Sequence, residues 1–345
     1  MKKRITFIIL LFISGEIFSQ DPNFSQFYNC PTYYNPGMNA IGNGLTVRLH
    51  NRIMWSPIPG RNNTYLASLE AEAIGRFSIG GFAFSDVGGE AYLRTNAGYL
   101  NCSFRSFETK KNIFQGGFAV GLVNKTIDKE KFVFSDQLDE VYGKTKVSAY
   151  NIPNNSETYP DLNAGIVFRH VDLKKIKGTY LKYMGTFGVS LNHITSPKDA
   201  FINDNFRLPQ KRIIHGNLNF LLNHLVYTPS FIIEQQANFK TFTLGFNTIT
   251  NLMTFGVWYR NQNATSNFKK YDSFIFLVGT AVKLKKVSYF KINYNFDMTV
   301  SRLKTASFGS HEISLVFHFD NRVLFEGSLK KKNNARMHKC PSELN

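Results

Sequence analysis

With 345 residues, 41 Lys+Arg against 24 Asp+Glu and a formal charge of +17, the chain departs from the balanced charge of an average soluble enzyme. Its 15% aromatic content, including 33 Phe and 16 Tyr, excludes intrinsic disorder, because burial on that scale offsets chain entropy. A bundle of membrane-spanning helices is excluded too: each would need a run of about 20 apolar residues, and nothing after residue 20 approaches one.

Taken in chain order, the first element is a leader. Lys2, Lys3 and Arg4 precede an apolar run over 5–13, and Ile17-Phe18-Ser19 offers a small residue at a cleavage point before Gln20. Residues 1–19 therefore read as a secretory signal peptide, too short to span a membrane. The Tyr-, Asn- and Pro-rich segment 20–43 has no strand period. It could fold into a lumen as a plug, lie in the periplasm as a docking arm, or be a disordered lead-in.

From residue 44 the pattern has a period near two. Phe187, Val189 and Leu191 alternate with Thr186, Gly188, Ser190 and Asn192, and Phe242, Leu244 and Phe246 alternate with polar neighbours. Phe290, Ile292, Tyr294 and Phe296 oppose Lys291, Asn293, Asn295 and Asp297. Successive strand side chains point to opposite faces, so each segment has one greasy and one polar surface. A soluble sandwich would bury the greasy faces against each other, whereas an outer-membrane barrel would turn them to lipid. Aromatic greasy faces, polar faces rich in Gly, Asn, Ser, Thr and charge, and the leader favour the barrel.

About fourteen antiparallel strands are expected: 44–55, 63–72, 75–84, 91–105, 113–126, 161–169, 178–192, 213–221, 228–235, 239–248, 252–259, 272–282, 287–298 and 310–320. An even count puts both ends in the periplasm. The two longest connections, 127–160 and 193–212, then fall outside, and the short turns fall inside. The fold class is all-β, a transmembrane outer-membrane barrel over 44–320 followed by a basic periplasmic tail, 321–345.

That register sorts the charge. Lys110 and Lys111, then Lys174, Lys175 and Lys177, then Lys283, Lys285 and Lys286 fall in inner turns, and Lys330, Lys331 and Lys332 in the tail. They form either a docking face for an acidic periplasmic partner or a set of lysines snorkelling to outer-membrane lipid head groups. Loop 127–160 is instead net acidic. Its carboxylates match no EF-hand spacing, so a metal site is not expected.

Several stretches carry a resemblance. Asp21-Pro-Asn-Phe-Ser-Gln-Phe-Tyr, Tyr34-Asn-Pro-Gly37, Arg48 through Trp55, Phe132 through Gln137 and Tyr159 through Gly165 come first. Leu191-Asn-His193 with Pro197, Gly256 through Arg260, Tyr294 through Ser301, Gly309 through Ile313 and Cys340-Pro341 follow in order. The set resembles the PorP/SprF family of type IX secretion membrane proteins. One departure is the terminal Ser-Glu-Leu-Asn, where the family often ends on a basic and an aromatic residue. The resemblance implies an integral outer-membrane barrel of gliding or secreting bacteria. It also implies support for surface placement of cargo with a C-terminal signal, such as adhesins, and association with a periplasmic ring rather than service as the main pore.

Candidate functional residues follow from closure. First and last strands must pair, because an open edge in lipid leaves backbone groups unsatisfied. Arg48, His50 and Arg52 lie on the polar face of the first strand, and Glu312 on that of the last. Glu312 is expected to meet Arg48 or Arg52 in the lumen, with Lys291, Asp297, Glu234 and Arg260 in the same network. Cys30 and Cys340 each neighbour a proline near an end of the mature chain and could pair, or all three cysteines could be free. No Ser/His pair, phosphate loop or Cys/His ligand set points to an enzyme or a cofactor. Lipid-facing strands argue against nucleic acid. The competing class is an outer-membrane porin or small-solute channel.

Overall fold

The computed structural model describes residues 21–42, 44–89, 93–128, 134–139, 143–145, 155–176, 179–199, 206–222, 225–250, 252–262, 271–285, 288–300 and 307–319. The leader and the basic tail lie outside these residues.

Fourteen antiparallel strands close on themselves. They are β1 (Leu45–Met54), β2 (Asn62–Glu72), β3 (Phe77–Gly88), β4 (Leu93–Glu108) and β5 (Asn112–Thr126), then β8 (Ser156–Ile176) through β16. The later strands are β9 (Thr179–Asn192), β10 (Lys211–Leu222), β11 (Leu225–Gln236), β12 (Phe239–Ile249), β13 (Met253–Gln262), β14 (Tyr271–Lys285), β15 (Ser288–Thr299) and β16 (Ser310–Phe319). Two residue pairs, β6 (Leu138–Asp139) and β7 (Gly143–Lys144), form a separate hairpin within the long β5–β8 connection, which the alternation did not signal. Closure is complete: β1 pairs with β16 from Leu45↔Phe319 to Met54↔Ser310, so no edge is left open.

Each expected segment corresponds to one barrel strand. The greasy faces stand outward, with Phe187 and Phe246 each 50% exposed and Ile313 47%. A wall of that kind has no place in water and suits acyl chains, which removes the sandwich. No helix among the described residues is long and apolar enough to cross a membrane; the strands do the crossing. The largest boundary difference is β8, expected at 161–169 and observed over 21 residues. Just beyond Arg169 the outward side chains of His170 and Asp172 are polar. His170 lies 2.6 Å from Asn112, and Asp172 pairs with Lys111 at 2.7 Å and accepts from Tyr183 at 3.1 Å. The ladder thus outruns the apolar band, and the alternation that marks a strand stops before the strand does.

The lumen is occupied. Residues 21–42 run down its inside and are almost wholly buried. Pro31 opens a helical turn, Pro31–Tyr34, and Pro36 a 3-10 turn, Pro36–Met38, each ring supplying a φ suited to a first turn. Between them the Asn35 side chain accepts the Gly37 N–H at 2.8 Å. The result is a compact, aperiodic chain whose backbone polar groups find partners on the strands.

Candidate functional site

The contacts between segment and wall divide into levels, beginning at the end that carries the long loops. Asp21 lies there, its N–H donated to Gln236 at 3.3 Å and its carboxylate 2.7 Å from His193 Nε2. His193 Nδ1 is 2.8 Å from Asp161, which also accepts from the Tyr99 hydroxyl at 2.7 Å. Burial alone would lower the His193 pKa, but the two carboxylates outweigh it and hold it up to about 10. The imidazolium therefore bridges the start of the segment to the wall at neutral pH. Lys211 pairs with Glu234 at 2.9 Å and lies over the rings of Tyr33 and Tyr34. Lys125 pairs with Asp199.

The next level straddles the closing seam. Arg52 reaches Glu312 at 3.0 Å and Asp297 at 2.7 Å, and Arg260 reaches Asp297 at 3.1 Å. Two guanidinium groups thus face two carboxylates. Ser25 sits among them, donating to Asp297 at 2.6 Å and accepting from Arg260 at 2.6 Å. Glu312 accepts the backbone N–H groups of Ser25 at 2.7 Å and Gln26 at 3.1 Å. Its carboxylate therefore ties the first strand, the last strand and the inner segment together. Buried ion pairs repay desolvation only when their remaining lone pairs are satisfied, and Glu312 meets that condition.

Midway, aromatic rings carry the contact. Trp258 stacks on Tyr28 at 5.2 Å between centroids, takes Phe27 edge-on at 5.4 Å, and donates to Asn247 at 2.9 Å. Ile275 packs into this cluster, which explains why β14 is apolar on both faces. Asn35 Nδ2 lies 3.2 Å from the Ile166 carbonyl, 3.3 Å from that of Val189 and 3.0 Å from His215 Nε2. The wall beneath is glycine because nothing larger fits: a Cβ on Gly165 would stand 2.1 Å from Asn35 Oδ1, and one on Gly117 2.4 Å from the Pro36 carbonyl oxygen. At the short-turn end, Gln115 donates to the carbonyls of Gly37 at 2.9 Å and Asn39 at 2.7 Å. Arg105 donates to Ala40 at 2.8 Å, and Glu70 accepts the Ala40 N–H at 3.2 Å.

Of the residues named from sequence, Arg52, Arg260, Asp297 and Glu312 converge on one cluster. His50 is beside it, its Nε2 3.0 Å from the Asn29 carbonyl. Arg48 is elsewhere, paired with Glu70 of β2. Glu234 belongs to the Lys211 pair, and Lys291 lies 4.4 Å from the Tyr289 ring near the short-turn end. Cys30 is a free, fully buried thiol that donates to the Gln26 carbonyl at 3.4 Å; Cys340 lies outside the described residues.

The lysines need a correction. Lys174 and Lys175 are not in a turn but on the β8 ladder, opposite Leu181 and Tyr180. Lys283 and Lys285 are likewise on β14, opposite Tyr289 and Ser288. The ladders persist past the lipid-facing band, so the turns are shorter than the charge runs. Lys177, Lys286, Lys330, Lys331 and Lys332 lie outside the described residues.

Reasoning from closure overlooked Asp21, Ser25, Gln26, Glu70, Asp161 and His193. Most fall inside the family-like stretches, which was the available signal.

The family model for the type IX secretion system membrane protein PorP/SprF matches residues 17–317. The chain belongs to this family. Family membership, the closed barrel and its apolar exterior place the protein in the outer membrane; in bacterial barrels the end that carries the longer loops is the extracellular one as a rule. No curated protein matches it. Among solved structures it is similar to a Pseudomonas aeruginosa FadL homologue, at 12% identity and TM-score 0.41 over 89% of this chain and 96% of that one. It is also similar to the P. putida toluene transporter TodX, at 10% identity and TM-score 0.43 over 85% and 95%.

Proposed function

We propose that this family member is a non-enzymatic accessory of the type IX secretion and gliding apparatus. It supports export or surface placement of proteins bearing a C-terminal signal, adhesins among them. The match over residues 17–317 carries the reading. The occupied lumen supports the accessory half of it. A chain held by an ion pair at the outer mouth and by hydrogen bonds at the seam and the inner end fills the space a polypeptide would need, and fourteen strands are in any case narrow for folded cargo.

In this reading the outer loops between β5 and β8 and between β9 and β10 face cargo. The basic inner end, where Lys283 is exposed, meets the periplasmic ring components of the machinery. The same occupied lumen weighs against a porin or small-solute channel. Deleting the gene is expected to strip signal-bearing adhesin from the cell surface while small-solute uptake stays unchanged. Lost solute uptake with adhesin still on the surface would overturn the proposal.

A further inference from the structure

The outward wall at the outer rim holds an arrangement that neither closure nor the plug uses. Arg212 of β10, Gln235 of β11 and Lys240 of β12 are successive ladder partners, so they form one row across three strands. The row faces lipid. Lys211 and Ile213 beside Arg212 are buried, as are Glu234 and Gln236 beside Gln235, and Lys240 shares its face with exposed Leu244 and Phe246. Neighbouring strands lie about 4.8 Å apart, which puts the two cations about 10 Å apart at their backbones, within mutual reach of one anion.

Three further observations give the row a ligand. The nearby carboxylate, Glu234, is turned inward onto Lys211, so the outward row holds two cations and an amide. Directly beneath come Ile214, Ile233 and Phe242, and below them Gly216, Phe231 and Leu244, an uninterrupted apolar strip. Directly above, the two residues Ala237 and Asn238 turn the chain from β11 into β12, so the row marks the end of the wall. The opposite wall differs: near the outer end of β1 and β2, Asn51 donates to Asn63 at 2.8 Å and Asn63 to the Tyr65 hydroxyl at 3.1 Å, a neutral, self-satisfied set.

We propose that Arg212, Gln235 and Lys240 form a head-group site for a phosphorylated lipid of the outer leaflet. The guanidinium takes phosphate oxygens in its planar fork, Lys240 adds a point charge and Gln235 an amide donor. The acyl chains lie on the strip from Ile214 to Leu244. Only a ligand with both an anion and hydrocarbon chains meets both halves of the surface, which selects a lipid over free phosphate. The site is independent of any role in secretion.

The test reconstitutes the full-length protein in vesicles of zwitterionic lipid doped with lipid A, re-extracts it, and measures bound lipid by native mass spectrometry. Wild type is expected to retain lipid A, and R212Q/K240Q to retain less by about tenfold or more. R94Q, which removes an outward cation on β4, is expected to behave as wild type. Heat-modifiability on a gel confirms that each variant is folded. Equal retention by wild type and R212Q/K240Q, equal retention of dephosphorylated lipid A, or displacement of the lipid by inorganic phosphate would each overturn the assignment.

Discussion

Glu312→Gln is expected to destabilise the folded barrel by roughly 3 kcal/mol, within the range for removing one partner of a buried ion pair. The seam cluster balances Arg52 and Arg260 against Asp297 and Glu312, and all four side chains are 6% exposed or less. Neutralising Glu312 leaves a net positive charge in a site closed to water. It also weakens the acceptor of two backbone N–H groups, those of Ser25 and Gln26. The loss should appear as a lower temperature for the shift from the folded to the unfolded band on a gel. Replacing the pair together, as Arg52→Met with Glu312→Leu, should cost less than the two single changes summed, because no unpaired charge remains. An unaltered transition temperature in Glu312→Gln would mean that the cluster does not hold the seam.

The second large effect is expected from Gly117→Val, which should lift the inner segment off the wall while sparing the barrel. A Cβ at Gly117 would meet the Pro36 carbonyl oxygen at 2.4 Å and the Gly37 nitrogen at 2.8 Å, and backbone on both counts cannot swing aside. Valine suits a strand, so the ladder tolerates it, and the strain of overpacking, about 1–3 kcal/mol, falls on the contact with the segment. Cys30 reports the outcome. In the native protein it is fully buried, and burial pushes its thiol well above the ordinary value, so it should resist alkylation. With Cys102 and Cys340 changed to serine, Gly117→Val should expose Cys30 to a soluble maleimide while the folded band on a gel persists. A folded variant whose Cys30 stays unlabelled would show that the close approach at Gly117 does not hold the segment in place.

The strands were legible because their period is a direct consequence of a wall with lipid on one side. That Glu312 meets Arg48 or Arg52 followed from closure, since the order of the strands makes β1 and β16 neighbours; the register Arg52↔Glu312 selects Arg52. Arg48 illustrates where that logic stops. Its carboxylate comes from β2, the other neighbour of β1, and choosing between two flanking strands needs the register Thr46↔Glu70 and Arg48↔Ser68. The path of residues 21–42 was not legible for a related reason. Its turns are local and readable from Pro31, Asn35 and Pro36, but its partners are remote: Ser25 meets a carboxylate 287 residues away. No periodicity encodes a contact of that kind. The lysines misled because a run of charge suggests a turn, whereas β8 and β14 continue as paired ladders beyond the apolar band.

A barrel whose lumen is filled by its own residues 21–42, and which in the proposed function assists transport without conducting it, is the claim that joins these observations. Planar-bilayer recording of the intact, correctly inserted protein tests it most directly. The membrane should stay electrically silent, with no sustained steps at moderate voltage. Stable, ion-selective conductance from the unmodified barrel would contradict the claim and restore the channel reading.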